Sequence, residues 1–290
     1  MNAEKLLRIF HWIVFGNYWV SSGVVAMYAA ACSVLVVEFS WTWAAALFFA
    51  TLSSYTYHRV GPGIEHSSSG IEGIRRNWIT ANLRALRIQM IISGIIAMVL
   101  FAMLCTFEQW AFLLPAAILA VIYILPIVPK GGKWLRLREL PFVKIFIIVA
   151  VWMVLALLPL VTEISPLLQN RSLHVLLLQR FLFLLAVTIP FDLRDMEFDR
   201  VRGIKTIATA LGAERSIQIS HVLLVLSALV CWMGFQLQIW NGSLALSLAV
   251  SSASTAILLT RIKPHSDEMT FSFWLEGSML DQLFWIQLFS

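Results

Sequence analysis

The sequence predicts an all-α integral membrane protein: a bundle of about nine transmembrane helices in one polytopic domain spanning residues 1–290. Three observations lead there. The chain is 60% hydrophobic and only 13% charged, with a mean hydropathy of +0.83, whereas soluble domains carry about 25% charged residues. Apolar stretches close to the ~20 residues needed to cross a bilayer recur along its whole length. Its basic residues gather in every second connection between these stretches, on one side of them.

The spans follow in order. The first, 9–29, comes after Lys5 and Arg8; its ending, AMYAAA, imitates a cleaved signal peptide, but full spanning length favours a retained helix. The second, 34–56, runs into the polar end Tyr-Thr-Tyr-His-Arg. The connection 57–87 contains Gly-Pro-Gly and Ser-Ser-Ser-Gly, which mark irregular backbone. Spans 88–107 and 109–128 lead to a basic connection, 129–144. Spans 142–162 and 173–191 lead to a second charged connection, 192–216. Spans 217–236, 242–260 and 271–289 complete the set, the last carrying Glu276 and Asp281. For these two acids Arg180 is one conceivable partner, and an interfacial ninth helix with its acids in water is the alternative.

With nine spans, 19 of the 21 Lys and Arg residues fall on the side of the N-terminus, and only Arg171 and Arg180 fall on the other. The positive-inside rule makes that side cytoplasmic, so the connections 57–87, 129–144 and 192–216 face the cytoplasm. The expected location is the plasma (inner) membrane, with bilayer lipids as neighbours. The net charge of +5 serves topology, and nucleic acid is not an expected partner. Cys32, Cys105 and Cys231 are far apart, form no CxxC, and read as free thiols packed as small hydrophobes.

The carboxylates are distributed unevenly. The chain has five Asp residues, and three of them, Asp192, Asp195 and Asp199, fall in PFDLRDMEFDR at the end of the sixth span. If the helix continues through residue 199, the i, i+3, i+7 spacing stacks them within a roughly 60° arc. Like charges so placed repel unless a cation joins them. Mg²⁺, an oxygen-seeking ion that bridges carboxylates to substrate phosphates, suits the stripe. An interfacial charge network, with Arg194, Arg200 and Arg202 neutralising the acids, suits it equally.

The longer stretch DLRDMEFDRVRGIKTIATALG resembles the second aspartate-rich motif of the UbiA-type intramembrane prenyltransferases. The matching residues are Asp192, Asp195, Asp199, Gly203, Lys205, Thr206, Leu211 and Gly212, with Ala208 where the family usually has proline. YILPIVPKGGKWLRLRELPFVK is similar to the family's Tyr-then-basic segment, matching Tyr123, Lys130 and Lys144. The resemblance implies a UbiA-like fold and transfer of a prenyl or related alkyl group from a lipid diphosphate, such as a polyprenyl diphosphate, to an acceptor. It implies that Asp192, Asp195, Asp199 and Lys205 are catalytic, that Mg²⁺ on the three aspartates grips the diphosphate, and that Tyr123, Lys130 and Lys144 contact substrate.

The family's first aspartate motif should end the second span, but Asp is absent from residues 1–191, and LSSYTYHRVGPGIEHSSSG stands there. His58, Arg59, Arg75 and Arg76 are then candidates to hold phosphate oxygens directly, since a guanidinium offers a bidentate fork. Glu65 or Glu72 folding back as a metal ligand is another possibility. A headgroup-anchor role for His58 and Arg59 stays open beside both. The alternative function is a catalytically inactive, lipid-binding or scaffold protein on the same fold.

Overall fold

The computed structural model describes residues 3–60, 74–123, 125–130, 133–137, 140, 142–163, 169–201, 203–263 and 265–289. Thirteen α-helices and one short hairpin make up the described residues. They are α1 (Ala3–Phe15), α2 (Tyr18–Leu35), α3 (Trp41–Val60), α4 (Ile74–Ala81), α5 (Leu83–Leu104), α6 (Phe107–Ile122), β1 (Pro126–Lys130), β2 (Lys133–Arg136), α7 (Val143–Leu157), α8 (Arg171–Arg194), α9 (Met196–Val201), α10 (Ile207–Leu211), α11 (Ala213–Gln236), α12 (Gly242–Leu259) and α13 (Glu276–Phe289). A 3₁₀ segment, Leu158–Glu163, extends α7, and a π-helical segment, Thr270–Leu275, leads into α13.

Each of the nine expected spans overlaps a helix. Six are long and apolar enough to cross a bilayer: α2, α5, α7 with its 3₁₀ extension, α8, α11 and α12. α6 is apolar but shorter. The remaining expected stretches coincide with α3 and with the π segment followed by α13.

Helix contacts run as a circuit, α2 to α13, α12, α11, α8, α7 and back to α2, with α3 and α5 on the flank of α2 and α6 against α7. α2 sits at the hub because Gly23, Ala26, Ala30 and Ala31 let neighbouring backbones approach closely. Polar side chains join helices where apolar ones gain little from leaving lipid. Gln179 of α8 donates to Ser227 of α11 at 3.2 Å, and Ser227 meets Ser252 of α12 at 3.1 Å. The outer faces stay apolar and open. Ile88, Ile91, Ile95 and Met98 of α5 are exposed, as are Val222, Val225, Leu229 and Trp232 of α11.

Four expectations change. The expected first span is two helices, because Asn17 adopts a left-handed φ of 70° and breaks the chain there. The thirteen residues of α1 are too few to cross a bilayer, and it leaves Leu6, Leu7, Ile9 and Ile13 exposed. The break's polar groups are met from other helices: Arg59 Nη1 donates to the Phe15 carbonyl at 3.0 Å, Gln89 Nε2 to the Gly16 carbonyl at 2.8 Å, and Asn17 Nδ2 to Thr56 Oγ1 at 3.0 Å.

The expected fourth span ends early, with α6 at Ile122. Pro126 and Pro129 lie in β1, which pairs antiparallel with β2; proline cannot continue a helix. Helix α8 ends at Arg194, so Asp192, Asp195 and Asp199 do not share one continuous helix. Asp195 sits at the C-cap with φ −91° and ψ 0°, and α9 restarts after it. Finally, Arg180 pairs with neither Glu276 nor Asp281. It is 2% exposed and donates to the Met27 carbonyl of α2, while Asp281 accepts from Ser254 of α12 at 2.6 Å.

Candidate functional site

The ends of α3, α7 and α8 meet the start of α4 and the segment entering α13. Two local devices aim α7 at α8. Phe142, at the N-cap of α7, has φ 61°, and its N–H donates to the Lys205 carbonyl at 3.1 Å. A phenylalanine with positive φ is unfavourable by itself, so the tie to the 203–206 loop holds it there. Lys144 follows two residues later.

The loop is shaped by the motif's glycines. Gly203 (φ 69°) turns the chain after α9, and Gly212 (φ 84°) ends α10; side chains with a Cβ disfavour this region. Thr206, buried, caps α10 reciprocally with Thr209. Ala208, where the family usually has proline, is buried in the first turn of α10.

Lys144 Nζ stands where two carboxylates converge, 2.9 Å from Asp192 Oδ1 and 3.5 Å from Asp195 Oδ2. Asp192 is 2% exposed. Arg194 grips Asp195 from the other side, Nε to Oδ1 at 3.0 Å and Nη2 to Oδ2 at 3.5 Å. Burial by itself would push the Asp195 carboxyl up, but Arg194 and Lys144 beside it hold it well below the usual carboxylate range. The Arg194 guanidinium also lies 5.4 Å from the Phe191 ring and 6.0 Å from that of Phe271.

Glu268 joins this centre to α4. Its Oε1 accepts from Arg75 Nη1 at 2.6 Å, Arg194 Nη1 at 3.5 Å and Ser272 Oγ at 2.9 Å. Burial, with the Arg194 and Arg59 guanidiniums nearby, pulls Arg75 down to about 9. It stays protonated at neutral pH, with Glu268 as its counter-charge. Glu276, 4% exposed, completes the cluster. It lies within electrostatic reach of Arg59, Arg194 and Arg75, and its Oε2 has no hydrogen-bond partner among the described residues.

Of the residues singled out in the sequence, Asp192, Asp195, Lys144, Arg59 and Arg75 therefore come together. Asp199 is buried and within electrostatic reach of Lys144. His58 packs edge-on against Tyr123 at 6.0 Å. Arg76 is part-buried on α4 beside Arg75. The Lys205 side chain is exposed; the backbone carbonyl is what this residue contributes to the cluster. Lys130 lies on β1, its side chain outside the described residues. Glu65, Glu72 and Arg202 also lie outside the described residues. Glu268 was not anticipated. Its signal was available, as an acid in HSDEM just before the last apolar stretch. The π-helical segment that lies between Glu268 and Glu276 could not be read from apolar periodicity; such segments recur at functional sites.

Mg²⁺ needs several oxygen donors aimed at one point. Among the described residues no three His, Cys, Asp or Glu side chains form such a group. The point where Asp192 and Asp195 converge holds the Lys144 ammonium, and both Asp195 oxygens also meet Arg194. This donor set, already neutralised by the chain's own cations, does not fit a resident Mg²⁺.

The family model described as the UbiA prenyltransferase family matches residues 79–280. It takes in the 192–212 motif and begins after α3, the helix that should have carried the first aspartate motif. No curated protein matches the chain. Among solved structures, one described as a UbiA homolog from Archaeoglobus fulgidus is similar, at 14% identity and a TM-score of 0.56, covering 98% of each chain. A second, from a study of digeranylgeranylglyceryl phosphate synthase in membranes, has 16% identity and a TM-score of 0.49, again covering 98% of each chain.

Proposed function

Because the chain belongs to the UbiA prenyltransferase family and is a multi-pass membrane protein, we propose that it binds a polyprenyl diphosphate or related lipid. The diphosphate lies at the Lys144–Arg194–Arg75 cluster, and the prenyl group is transferred to an acceptor. The single observation that carries this reading is convergence. The family's second motif folds so that Asp192 and Asp195 meet Lys144 of α7 and Arg194 of α8, and Glu268 ties Arg75 of α4 to the same end of the bundle.

In this reading the basic groups have a defined task. As the C–O bond of the lipid diphosphate breaks, negative charge grows on the leaving group. Cations held in place beforehand offset it without reorganising at that moment. Lys144, Arg194 and Arg75 are the best placed. Arg59 is shared between this cluster and the end of α1, and His58, Arg76 and Tyr123 form the rim. The carboxylates of Asp192, Asp195 and Asp199 orient the cations, and the Lys205 backbone positions the entry to α7. The apolar tail lies among the helices, with the cluster on the cytoplasmic face of the plasma membrane.

The test is binding to detergent-purified protein, comparing farnesyl diphosphate with farnesol, followed by a transfer assay with candidate acceptors. The diphosphate should bind at least about tenfold more tightly, and Asp195→Asn should erode that preference while the protein stays folded. Equal binding of the two lipids would sink the reading. Binding with no transfer to any acceptor favours the second reading, a lipid-binding scaffold on the same fold. The observation behind that second reading is the self-neutralised carboxylate pair.

A further inference from the structure

We infer that this mouth is a metal-independent diphosphate site, in which the Lys144 ammonium stands between Asp192 and Asp195 where a divalent cation would otherwise sit. The inference rests on the diphosphate reading above and adds to it the means by which the anion is held.

Four observations support it. First, Lys144 Nζ contacts both carboxylates, at 2.9 and 3.5 Å, and Asp192 is nearly closed to solvent at 2% exposure. A second positive centre cannot share that point without strong repulsion in a partly dry site. Second, the half of the site that would complete a metal cage has changed sign. The end of α3 delivers His58 and Arg59, and α4 adds Arg75. Third, three guanidiniums, from Arg59, Arg75 and Arg194, lie within electrostatic reach of one another and lean on Glu268 and Glu276. Fourth, the buried Glu276 has an oxygen without a hydrogen-bond partner among the described residues. That oxygen is an acceptor, to which a guanidinium N–H can shift when phosphate oxygens claim its neighbours.

The chemistry follows from the groups present. A guanidinium offers a planar fork that matches two phosphate oxygens. Arg75 and Arg194 now share one carboxylate oxygen of Glu268. An incoming diphosphate, with more charge and more oxygens than one carboxylate, competes for both. Lys144 and Arg194 together offset the charges of the two aspartates, so the anion does not meet bare carboxylates. No covalent step is added. The claim concerns only what holds the diphosphate.

The test uses the full chain in detergent with two probes, farnesyl diphosphate and Mn²⁺. The unmodified protein should bind farnesyl diphosphate with the same Kd, within about threefold, in EDTA and in excess Mg²⁺. It should also show no saturable Mn²⁺ binding by electron paramagnetic resonance. Lys144→Met keeps an apolar stem, frees Asp192 and leaves Asp195 paired with Arg194 alone. This variant should gain Mn²⁺ binding, and its diphosphate binding should become dependent on Mg²⁺ by about tenfold or more. A Kd for the unmodified protein that weakens about tenfold in EDTA overturns the inference and leaves the diphosphate reading standing. So does saturable Mn²⁺ binding that Asp195→Asn abolishes, a result that needs no Lys144 variant. A folded Lys144→Met that gains no metal binding overturns it as well. A protein that prefers farnesyl diphosphate to farnesol in neither buffer overturns the reading itself.

Discussion

Glu268→Gln is the most informative single perturbation, because one carboxylate oxygen serves two guanidiniums. The substitution keeps the shape of the side chain and removes its charge. For a pair at ~4 Å and an effective dielectric near 20, the gross Coulomb attraction is about 4 kcal/mol. Arg75 and Glu268 are 24% and 23% exposed, so desolvation and screening take back much of that. Exposed pairs contribute about 0–1 kcal/mol, and breaking buried ones costs about 3–5 kcal/mol. The Arg75–Glu268 contact at 2.6 Å falls between these limits, at about 1–2 kcal/mol of coupling. The Arg194–Glu268 contact at 3.5 Å should give roughly half as much, since weaker geometry lowers the gain. Double-mutant cycles with Arg75→Gln and Arg194→Gln, read by denaturation in detergent, measure both terms. Diphosphate binding should move the other way. With their internal counter-charge gone, both guanidiniums are held less tightly and are released for phosphate, and affinity should rise about three- to tenfold. Coupling below about 0.3 kcal/mol, or a loss of diphosphate affinity on Glu268→Gln, would refute the role assigned to this residue.

Single cysteines placed in 57–87, 129–144 and 192–216 should all be labelled from one face of sealed vesicles; labelling of 192–216 from the opposite face would contradict the orientation. Arg59→Ala should destabilise the α1–α2 break by about 1–3 kcal/mol, because the Phe15 carbonyl loses a charged donor, and should weaken diphosphate binding about tenfold. Arg59→Lys should restore part of the stability, and unchanged values for Arg59→Ala in both assays would leave Arg59 without either role. The ion pairs of Asp195 should respond to acid in a defined direction. Its folded-state carboxyl is held below the ordinary value of about 3.9, so it contributes stability that is fully present above that value and is lost as pH falls through the lower, folded one. Asp195→Asn should flatten this acid limb of the stability curve, and an unchanged limb would contradict the pairing.

Much of the architecture was legible in the linear pattern, because a bilayer imposes length and polarity on each crossing element separately. α5, α8, α11, α12 and α7 with its 3₁₀ extension each satisfy that requirement within their own residues, so apolar runs and the alternation of Lys and Arg located them. The 192–212 motif was legible for a similar reason. Gly203, Gly212 and the Thr206 cap act within a few residues, and their spacing survives in the sequence. What periodicity missed were local exceptions with a chemical cause. Asn17 in a left-handed conformation splits the first span, Pro126 and Pro129 turn an apolar run into a strand, and a non-helical Asp195 breaks the expected carboxylate stripe. The charge state of the site was decided only by tertiary structure. Lys144 lies 48 residues from Asp192, and Arg75 and Glu268 come from still more distant parts of the chain. Whether two carboxylates await a metal ion or already hold an ammonium depends on which cation reaches them through space, and the strength of that contact falls off with distance in three dimensions, with no counterpart in sequence separation.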